Sequence, residues 1–327
     1  MDLLFEAIDE DMPGAKWRRV FDRHWHAYSR WFIRDGVRSR PTYLASLKAL
    51  REHMPELLPA YEAIVAAAGG GDLEARFLSM WCPPVYVGGC SQALVGGATP
   101  ALIRNYDYSP RLFEGTVLGS RFNGKRVVAM VDCLWGALDG VNENGLCVSL
   151  SFGGRTEAGD GFGIPIVLRY VLEFATNTAE AIAILRRVPV HMSYSVALLD
   201  AGGNHATVYV NPDRPAEVLE RRVSTNHQRR VEWQRHAETT RTVERAAALD
   251  QAVALSSDPQ GVLAAFLQPP VYQTSYGHGY GTLYTAFYRP QDASVELIWP
   301  GQSWRHACSH VQEGVRTIRF MDESPVA

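Results

Sequence analysis

The most informative part of the chain is residues 88–108, G-G-C-S-Q-A-L-V-G-G-A-T-P-A-L-I-R-N-Y-D-Y. Two short apolar runs flank a turn rich in glycine with a proline, a pattern that predicts two β-strands joined as a hairpin. Cys90 begins the first strand directly after Gly88 and Gly89. Glycine permits strained backbone geometry and close approach of an attacking group. The tripeptide is therefore compatible with a chain that cuts itself between Gly89 and Cys90.

Cleavage at this bond would supply the thiol with its own general base. The freed α-amino group of Cys90 titrates near pH ~8, close to a thiol, and can take the thiol proton without a histidine. Arg104 and Asp107 follow in the second strand, within R-N-Y-D-Y. An aspartate beside the amine would orient it, and an arginine would favour the thiolate. Because they are three residues apart on a strand, the two side chains are expected to face opposite sides.

The other thiols and the histidines suggest less chemistry. Cys133, Cys147 and Cys308 lie in or next to apolar runs, where a cysteine is usually a small buried hydrophobe. None of the ten histidines stands in an H-E-x-x-H or Cys/His pattern, so no metal site is expected. His227 and His278 are the histidines that could act as the base for the nucleophilic thiol if the enzyme works uncut.

The rest of the chain alternates between helical and strand patterns. Helices are predicted within 15–70, 163–187 and 229–266, and strands within 90–152, 193–210 and a final hairpin at 282–299. Thr178 is the predicted N-cap of the second helix in the middle pair. Clustered strands separated by paired helices favour an α+β fold, with antiparallel sheets that carry helices on their outer faces.

Charge and composition argue against several classes of partner. With 32 basic and 35 acidic residues the formal net charge is −3, so no overall basic field favours nucleic acid or an anionic membrane. The acidic first residues do not resemble a secretory signal, and no apolar run is long enough to span a membrane. Five cysteines without a C-x-x-C motif are typical of a reduced setting, so a cytoplasmic location is expected.

Four local patterns occur along the chain in the order of one enzyme family. They are G-C at 89–90, R-N-x-D at 104–107, D-G-x-N-E-x-G-L at 139–146 and T-N-H at 225–227. Through them the chain resembles the acyl-coenzyme A:isopenicillin N acyltransferase family, whose wider relatives include choloylglycine hydrolase, penicillin V acylase and acid ceramidase. The likeness extends from about residue 50 to residue 300. These proteins are N-terminal-nucleophile hydrolases, so the resemblance implies a four-layer αββα sandwich.

The resemblance also implies roles for individual residues. Cys90 corresponds to the nucleophile, and its freed amine would be the base. Arg104 and Asp107 match the R-N-x-D pair that supports the nucleophile. Asn226, in T-N-H, matches the asparagine that donates a hydrogen bond to the oxyanion, a donor typically worth about 3 kcal/mol of barrier.

Other positions match less closely. Ser151 stands where several relatives have Asn or Tyr, and its hydroxyl is a candidate oxyanion or substrate ligand. His227 is assigned to the substrate pocket or its surroundings. Arg245 fits the family's helix arginine better than Arg241 does, with an ordinary exposed arginine as the alternative. The loop that contains Tyr272, Tyr276, His278 and Tyr280 is either a lid over the pocket or an ordinary hairpin connection.

The predicted organisation is one compact unit made of two segments. Residues 1–89 form a helical N-terminal segment, and residues 90–327 form the catalytic αββα segment. The first segment is expected to stay bound after cleavage, because its apolar helical faces would otherwise be exposed.

The predicted activity is hydrolysis or acyl transfer at a linear amide C–N bond, through an acyl-enzyme and without a cofactor. The expected substrate is a small acyl amide, with an acyl thioester as a further candidate donor, and neither a nucleic acid nor a membrane is expected as partner. Two other functions stay open from the sequence: an uncut Cys-His thiol hydrolase and a non-catalytic scaffold that keeps the fold. The resemblance does not choose among penicillins, bile-salt conjugates, fatty amides and small peptides.

Overall fold

The protein is built from two β-sheets and a set of helices. The computed structural model describes residues 1–321. In this range the strands are β1 Asp2–Asp9, β2 Gly89–Val95, β3 Ala101–Tyr108, β4 Thr116–Ser120, β5 Val127–Asp132, β6 Gly136–Asn142, β7 Cys147–Phe152, β8 Tyr194–Leu199, β9 His205–Val210, β10 Glu217–Leu219, β11 Val223–Ser224, β12 Gly281–Arg289, β13 Ser294–Trp299, β14 Gln302–Ala307 and β15 Gly314–Arg319. The α-helices are α1 Ala15–Phe32, α2 Tyr43–His53, α3 Leu58–Ala67, α4 Asp72–Leu78, α5 Ile164–Phe174, α6 Thr178–Arg187, α7 Gln234–Thr239, α8 Thr242–Leu255 and α9 Pro259–Phe266.

The two sheets have simple strand orders. The larger sheet runs β10-β9-β8-β7-β6-β5-β4-β1-β15, and the smaller one runs β11-β2-β3-β12-β13-β14. Strands β4 to β10 therefore lie side by side in chain order and are antiparallel throughout, with α5 and α6 in the connection from β7 to β8. Strand β1 lies next to the edge strand β15 at the other end of this sheet. It is parallel to its neighbour β4 and antiparallel to β15.

The sheets stack face to face, and helices cover both outer sides. β2 and β3 of the smaller sheet pack on β7 and β8 of the larger one. Helices α5 and α6 pack on the larger sheet, whereas α8 and α9 pack on the smaller one. The layers are thus helix, sheet, sheet and helix, which confirms the predicted α+β, four-layer αββα sandwich.

Helices α1 to α4 pack beside the larger sheet, near the turn that joins β5 to β6. The indole N–H of Trp17, on α1, donates to the carbonyl of Leu134 at 2.9 Å. In the reverse direction, the indole of Trp135 donates to the carbonyl of Leu78, on α4, at 2.9 Å. The N-terminal helices and the sheets therefore share one hydrophobic core. No helix among residues 1–321 has the length and apolar character needed to cross a membrane.

Three details differ from the sequence-based prediction. The helix α6 begins at Thr178, but its N-cap is Asn177, whose side chain accepts from the backbone N–H of Glu180 at 3.0 Å. The Thr178 hydroxyl instead donates to the carbonyl of Asn204, so the cap prediction was wrong by one residue. The predicted final hairpin is followed by β14 and β15. The N-terminal segment also contains a strand, β1, which pairs with β15.

Candidate active site

Cys90 is buried in β2, with only 2% of its surface exposed. Each of its polar groups has a partner. The thiol Sγ lies 3.1 Å from Nη2 of Arg104, and the backbone N–H donates to Oδ1 of Asn226 at 3.1 Å. The carbonyl oxygen accepts from Nη1 of Arg245 at 2.7 Å. Three side chains that the sequence singled out therefore meet at one residue.

Arg104 connects the thiol to the larger sheet. Its Nη1 forms an ion pair with Asp139, on β6, and lies 3.1 Å from the hydroxyl of Tyr284. Tyr284 donates to Asp139 at 2.6 Å, and the hydroxyl of Tyr288 donates to the other oxygen of the same carboxylate. The guanidinium is held from the opposite sheet in this way, so its second nitrogen stays against the thiol.

Asp107 and Arg245 form a buried ion pair on the other side of β3. Oδ2 of Asp107 accepts from Nη1 of Arg245, on α8, at 3.0 Å, and Oδ1 accepts from the hydroxyl of Thr282 at 2.7 Å. Both charged side chains are fully buried. Arg104 therefore points into the space between the sheets, whereas Asp107 points toward the helix layer. This confirms the opposite orientation predicted from their spacing on an extended strand.

The Asn226 side chain has an orientation that its neighbours determine. Its Oδ1 accepts from the backbone N–H of Cys90 and from the guanidinium of Arg245. Its Nδ2 faces two carbonyl oxygens, that of Phe152 at 3.3 Å and that of Gly88 at 3.5 Å. Since donors surround the oxygen and acceptors surround the nitrogen, the amide has one favourable orientation. The Nδ2 donor consequently points at the backbone that leads into the Gly89–Cys90 bond.

Two of the less certain candidates lie away from the thiol. Ser151 donates its hydroxyl proton to the carbonyl of Thr225 at 2.9 Å, so it braces the segment that carries the T-N-H motif. His227 has its Nδ1 3.0 Å from the hydroxyl of Thr242, and burial lowers its pKa. Neither side chain hydrogen-bonds to the thiol.

The third, Arg245, lies at the centre of the site. Besides its contacts to backbone and carboxylate, its Nη1 donates to the hydroxyl of Ser91 at 2.7 Å, and its Nε donates to the carbonyl of Thr240 at 2.7 Å. Arg241, the rival position, is exposed and forms an ion pair with Glu244. The interpretation of Arg245 as an ordinary exposed helix arginine is therefore wrong.

The loop before β12 packs directly on the residue that precedes Cys90. The hydroxyl of Tyr280 is buried without a hydrogen-bond partner, and a Cβ added to Gly89 would lie 1.8 Å from it. His278, in the same loop, is exposed. Glycine is therefore required at position 89 unless the tyrosine ring moves.

Burial and nearby charge act against each other on the two titrating groups of the site. Burial raises the pKa of the Cys90 thiol, and the charge of Arg104 opposes that increase. Burial also raises the pKa of Asp107, which the charge of Arg245 counteracts. The thiol in the uncut chain is thus protonated at neutral pH, and it needs a base before it can act as a nucleophile.

Comparison with known sequences identifies the family. The profile of the acyl-coenzyme A:6-aminopenicillanic acid acyl-transferase family matches residues 95–304, well over half of the chain. The chain belongs to this family. The matched range includes Arg104, Asp107, Asn226 and Arg245 and begins shortly after Cys90. Membership indicates an enzyme that transfers acyl groups or acts on amides. No functionally curated protein sequence matches the chain significantly.

Several solved structures are similar at low sequence identity. Penicillin V acylase from Agrobacterium tumefaciens is 14% identical, with 70% of this chain and 90% of that one covered and a TM-score of 0.49. The N-acylethanolamine-hydrolyzing acid amidase ortholog from Caenorhabditis elegans is 14% identical, with 70% and 100% covered and a TM-score of 0.48. A mutant of conjugated bile acid hydrolase from Clostridium perfringens is 12% identical, with 71% and 97% covered and a TM-score of 0.46. At these values the similarities identify neither a substrate nor site residues.

The sequence did not assign roles to the residues that hold Arg104 in this acyltransferase-family enzyme. Asp139 was visible as the first residue of the D-G-x-N-E-x-G-L motif. Tyr284 and Tyr288 lie four residues apart in T-L-Y-T-A-F-Y, and residues at that spacing on a strand share a face. Two tyrosines on one face of a buried strand need polar partners, and this is the signal that could have found them.

A small cavity of about 30 Å³ lies beside Cys90. Its walls are mostly apolar and aromatic, and they include Tyr86 and Gly88 from the segment before the Gly89–Cys90 bond. The space is sufficient for about one water molecule. A larger substrate therefore does not fit beside the thiol unless part of this wall moves.

Proposed function

We propose that the protein is a cysteine amidohydrolase or acyltransferase that cuts its own chain between Gly89 and Cys90. Its substrate is a small compound with a linear amide C–N bond, and the reaction proceeds through an acyl group on Cys90. The observation that carries the proposal is the arrangement around this residue. An arginine contacts its sulfur, an asparagine accepts from its nitrogen, and a second arginine contacts its carbonyl.

Self-cleavage proceeds by an acyl shift from nitrogen to sulfur. The sulfur of Cys90 attacks the carbonyl carbon of Gly89, the thiol proton passes to the amide nitrogen, and the C–N bond breaks. This leaves a thioester between the two residues and a free α-amine on Cys90. Water then hydrolyses the thioester, which releases the carboxylate of Gly89 and regenerates the thiol. The reaction needs no oxidant, reductant or cofactor.

The exposed amine serves as general base and then as general acid in turnover. It takes the thiol proton, and the sulfur attacks the carbonyl of the substrate amide. The tetrahedral intermediate collapses when the amine returns the proton to the leaving nitrogen, and an acyl-enzyme remains. Water or a second amine then takes the acyl group. An acyl thioester would form the same acyl-enzyme, with a thiolate as leaving group.

The surrounding residues have separate tasks in this mechanism. Asn226 accepts a hydrogen bond from the amine through Oδ1, so it directs the nitrogen lone pair, and its Nδ2 donates to the developing oxyanion. Arg104 stabilises the thiolate by its charge. Arg245 holds Asn226 and Asp107 in position, and Asp107 keeps the charge of Arg245 compensated.

Residues 1–89 are proposed to remain attached after cleavage. β1 is hydrogen-bonded between β4 and β15 in the larger sheet, and α1 is fixed by the hydrogen bond of Trp17. Phe21 and Leu50 are buried in the common core, so dissociation would expose a large apolar surface. Gel filtration of cleaved protein without denaturant tests this, and separate elution of the two pieces would contradict it.

Turnover of acyl anilides by purified protein tests the proposed function. Wild-type protein should release aniline, and Cys90→Ala protein should release none. Brief reaction followed by acid quenching should reveal the acyl group on the piece that begins with Cys90, by intact mass. Cys308→Ala is the matched control, because this thiol is also buried but lies away from the site, and it should keep the activity. Full activity of Cys90→Ala protein would refute the proposal.

A further inference from the structure

A second, larger cavity adjoins the one that contains the thiol. Its volume is about 150 Å³, and it lies between α1, the segment before β2, and the ends of β3 and β5. Tyr86, Tyr108 and Asp132 line both cavities, so the two spaces are neighbours. Aromatic rings form much of the wall, those of Tyr28, Trp31, Tyr86, Tyr108 and Phe113.

Two carboxylates share the aromatic wall of this cavity. The hydroxyl of Tyr28 hydrogen-bonds to Oε1 of Glu114 and lies 2.9 Å from Oδ1 of Asp132. The backbone N–H of Leu134 also donates to Oε1 of Glu114, at 2.9 Å. Glu114 is only 7% exposed, and its Oε2 is buried without any hydrogen-bond partner. Among residues 1–321, no lysine or arginine forms an ion pair with either carboxylate.

A buried carboxylate without a cation is unfavourable, so this arrangement is unsatisfied as it stands. Burial raises the pKa of Glu114, as does the charge of Asp132 to a lesser extent, and burial raises the pKa of Asp132. The charge of Arg104 lowers the pKa of Asp132 without forming an ion pair with it, and the basic side chains that line the cavity do not neutralise Glu114. Burial lowers the pKa of His24, which lines the cavity, to about 4, and Arg111 at the rim is exposed to solvent.

The chemistry of the walls selects the kind of ligand. Ring faces attract cations, and an ammonium group among several rings near a carboxylate is bound by both. An anionic group would oppose ionisation of Glu114 and Asp132, whereas a cationic group favours it and pairs with the resulting carboxylates. A metal ion is a poor fit, because the described part of the chain holds no group of three or more His, Cys, Asp or Glu side chains that could bind one. A protonated amine or a quaternary ammonium group satisfies the unpaired carboxylate oxygen and the rings together.

We propose that this cavity binds a protonated amine or quaternary ammonium group of the substrate, so that the enzyme prefers amides with a cationic group a few bonds from the scissile carbonyl. This inference rests on the proposed function, since it places the reacting amide at Cys90 in the neighbouring cavity. Tyr28, Trp31 and Tyr86 precede the proposed cleavage site, so the N-terminal piece would supply three of the five aromatic rings, and the larger piece would supply both carboxylates.

Paired substrates measure the preference. Cleaved wild-type enzyme is assayed with ω-aminoalkanoyl anilides and uncharged alkanoyl anilides of matched length, and with acetylated diamines and acetylated alkylamines of matched length. In at least one of these two comparisons, kcat/KM should be at least about tenfold higher for the cationic substrate than for the uncharged one. Glu114→Gln should lower the ratio of kcat/KM between the charged and the uncharged member of each pair at least about tenfold, a ratio that a general loss of activity in the variant would not change. Glu143→Gln, a change at an exposed carboxylate, is the matched control and should keep the preference.

Failure of this inference and failure of the proposed function are distinguishable. Cleaved, active enzyme that treats charged and uncharged members alike overturns the cation site alone. If the chain neither cleaves nor turns over any amide, calorimetry with n-butylammonium on uncut Cys90→Ala protein decides instead. Binding that Glu114→Gln weakens at least tenfold and Glu143→Gln does not supports the site. Absence of binding to the Cys90→Ala protein overturns it.

Discussion

Replacement of Arg245 by methionine removes one half of the buried ion pair with Asp107. The change is made in a Cys90→Ala background, because an uncut chain unfolds as one molecule. Methionine fills part of the space of the arginine stem without a charge. It leaves the Asp107 carboxylate, which is fully buried, with the hydroxyl of Thr282 as its remaining side-chain donor.

The expected cost follows from the loss of the compensating charge. Breaking a buried pair by removing one partner typically lowers the free energy of unfolding by about 3–5 kcal/mol. Arg245 also donates to the carbonyls of Cys90 and Thr240, to Ser91 and to Asn226, and these acceptors lose a donor in the variant. We therefore expect a value toward the upper end of that range at neutral pH.

The cost should depend on pH with a defined sign. Burial raises the pKa of Asp107, and Arg245 is the main group that lowers it, so the variant has a higher folded-state pKa than the parent. The folded variant then retains a proton that the unfolded chain releases above pH ~4. Its stability falls as the pH rises from there through the raised pKa, so the penalty should be larger at pH 7 than at pH 4.

Urea unfolding followed by circular dichroism measures these differences. Arg241→Met is the control, since Arg241 is exposed and pairs with exposed Glu244, and it should cost less than about 0.5 kcal/mol. Adding Asp107→Asn to the Arg245→Met variant should recover the part of the loss that comes from the unpaired buried charge, but not the part that comes from the lost hydrogen bonds of Arg245. A loss below about 1 kcal/mol without pH dependence would refute the reasoning about this pair.

Three further predictions follow from individual contacts. Gly89→Ala should slow self-cleavage at least about tenfold, because its Cβ would collide with Tyr280, whereas Gly96→Ala should not, because its Cβ would only make an ordinary contact with Arg222 at 3.9 Å; time-resolved intact mass measures both, and equal rates would contradict the packing. Asn226→Ala should lower kcat of cleaved enzyme by about 100- to 1000-fold, and steady-state kinetics with an unchanged kcat would rule out its role at the oxyanion. Asn177→Ala should lower the free energy of unfolding by about 1 kcal/mol in urea melts, since it removes a helix cap.

The order of helices and strands was predictable from the sequence, because each local hydrophobic and turn pattern favours the element that the folded chain forms there. Asn-Gly turns between apolar runs indicate the hairpins of β4 with β5 and of β6 with β7, and the amphipathic stripe around Trp17 and Phe21 indicates α1. The pairing of β1 with β15 was not predictable in this way. Their residues are more than 300 positions apart in sequence, and neither strand carries a local signal for its partner.

The residues of the candidate site were also predictable only in part. Cys90, Arg104 and Asn226 belong to the motifs of the family, and the fold brings the latter two into contact with Cys90. His227 follows Asn226 directly and Ser151 was chosen by its place in the family pattern, but each hydrogen-bonds elsewhere, to α8 and to the T-N-H segment, and not to the thiol.

Contacts between distant segments escaped prediction from the sequence. Glu114 and Asp132 are 18 residues apart in sequence, and a tyrosine from α1 brings them together. A carboxylate pair of this kind is visible only once the N-terminal helices have packed against the sheet. The same is true of Tyr280, whose distance from Gly89 depends on the pairing of β12 with β3.

Intact mass under denaturing conditions, with N-terminal sequencing, tests the central claim most directly. Wild-type protein should give two pieces that correspond to residues 1–89 and residues 90–327, the larger of which begins Cys-Ser-Gln-Ala. Cys90→Ala protein should give a single uncut chain. A wild-type chain that stays whole yet hydrolyses amides would contradict the account, because the base in the proposed mechanism is the amine that cleavage exposes.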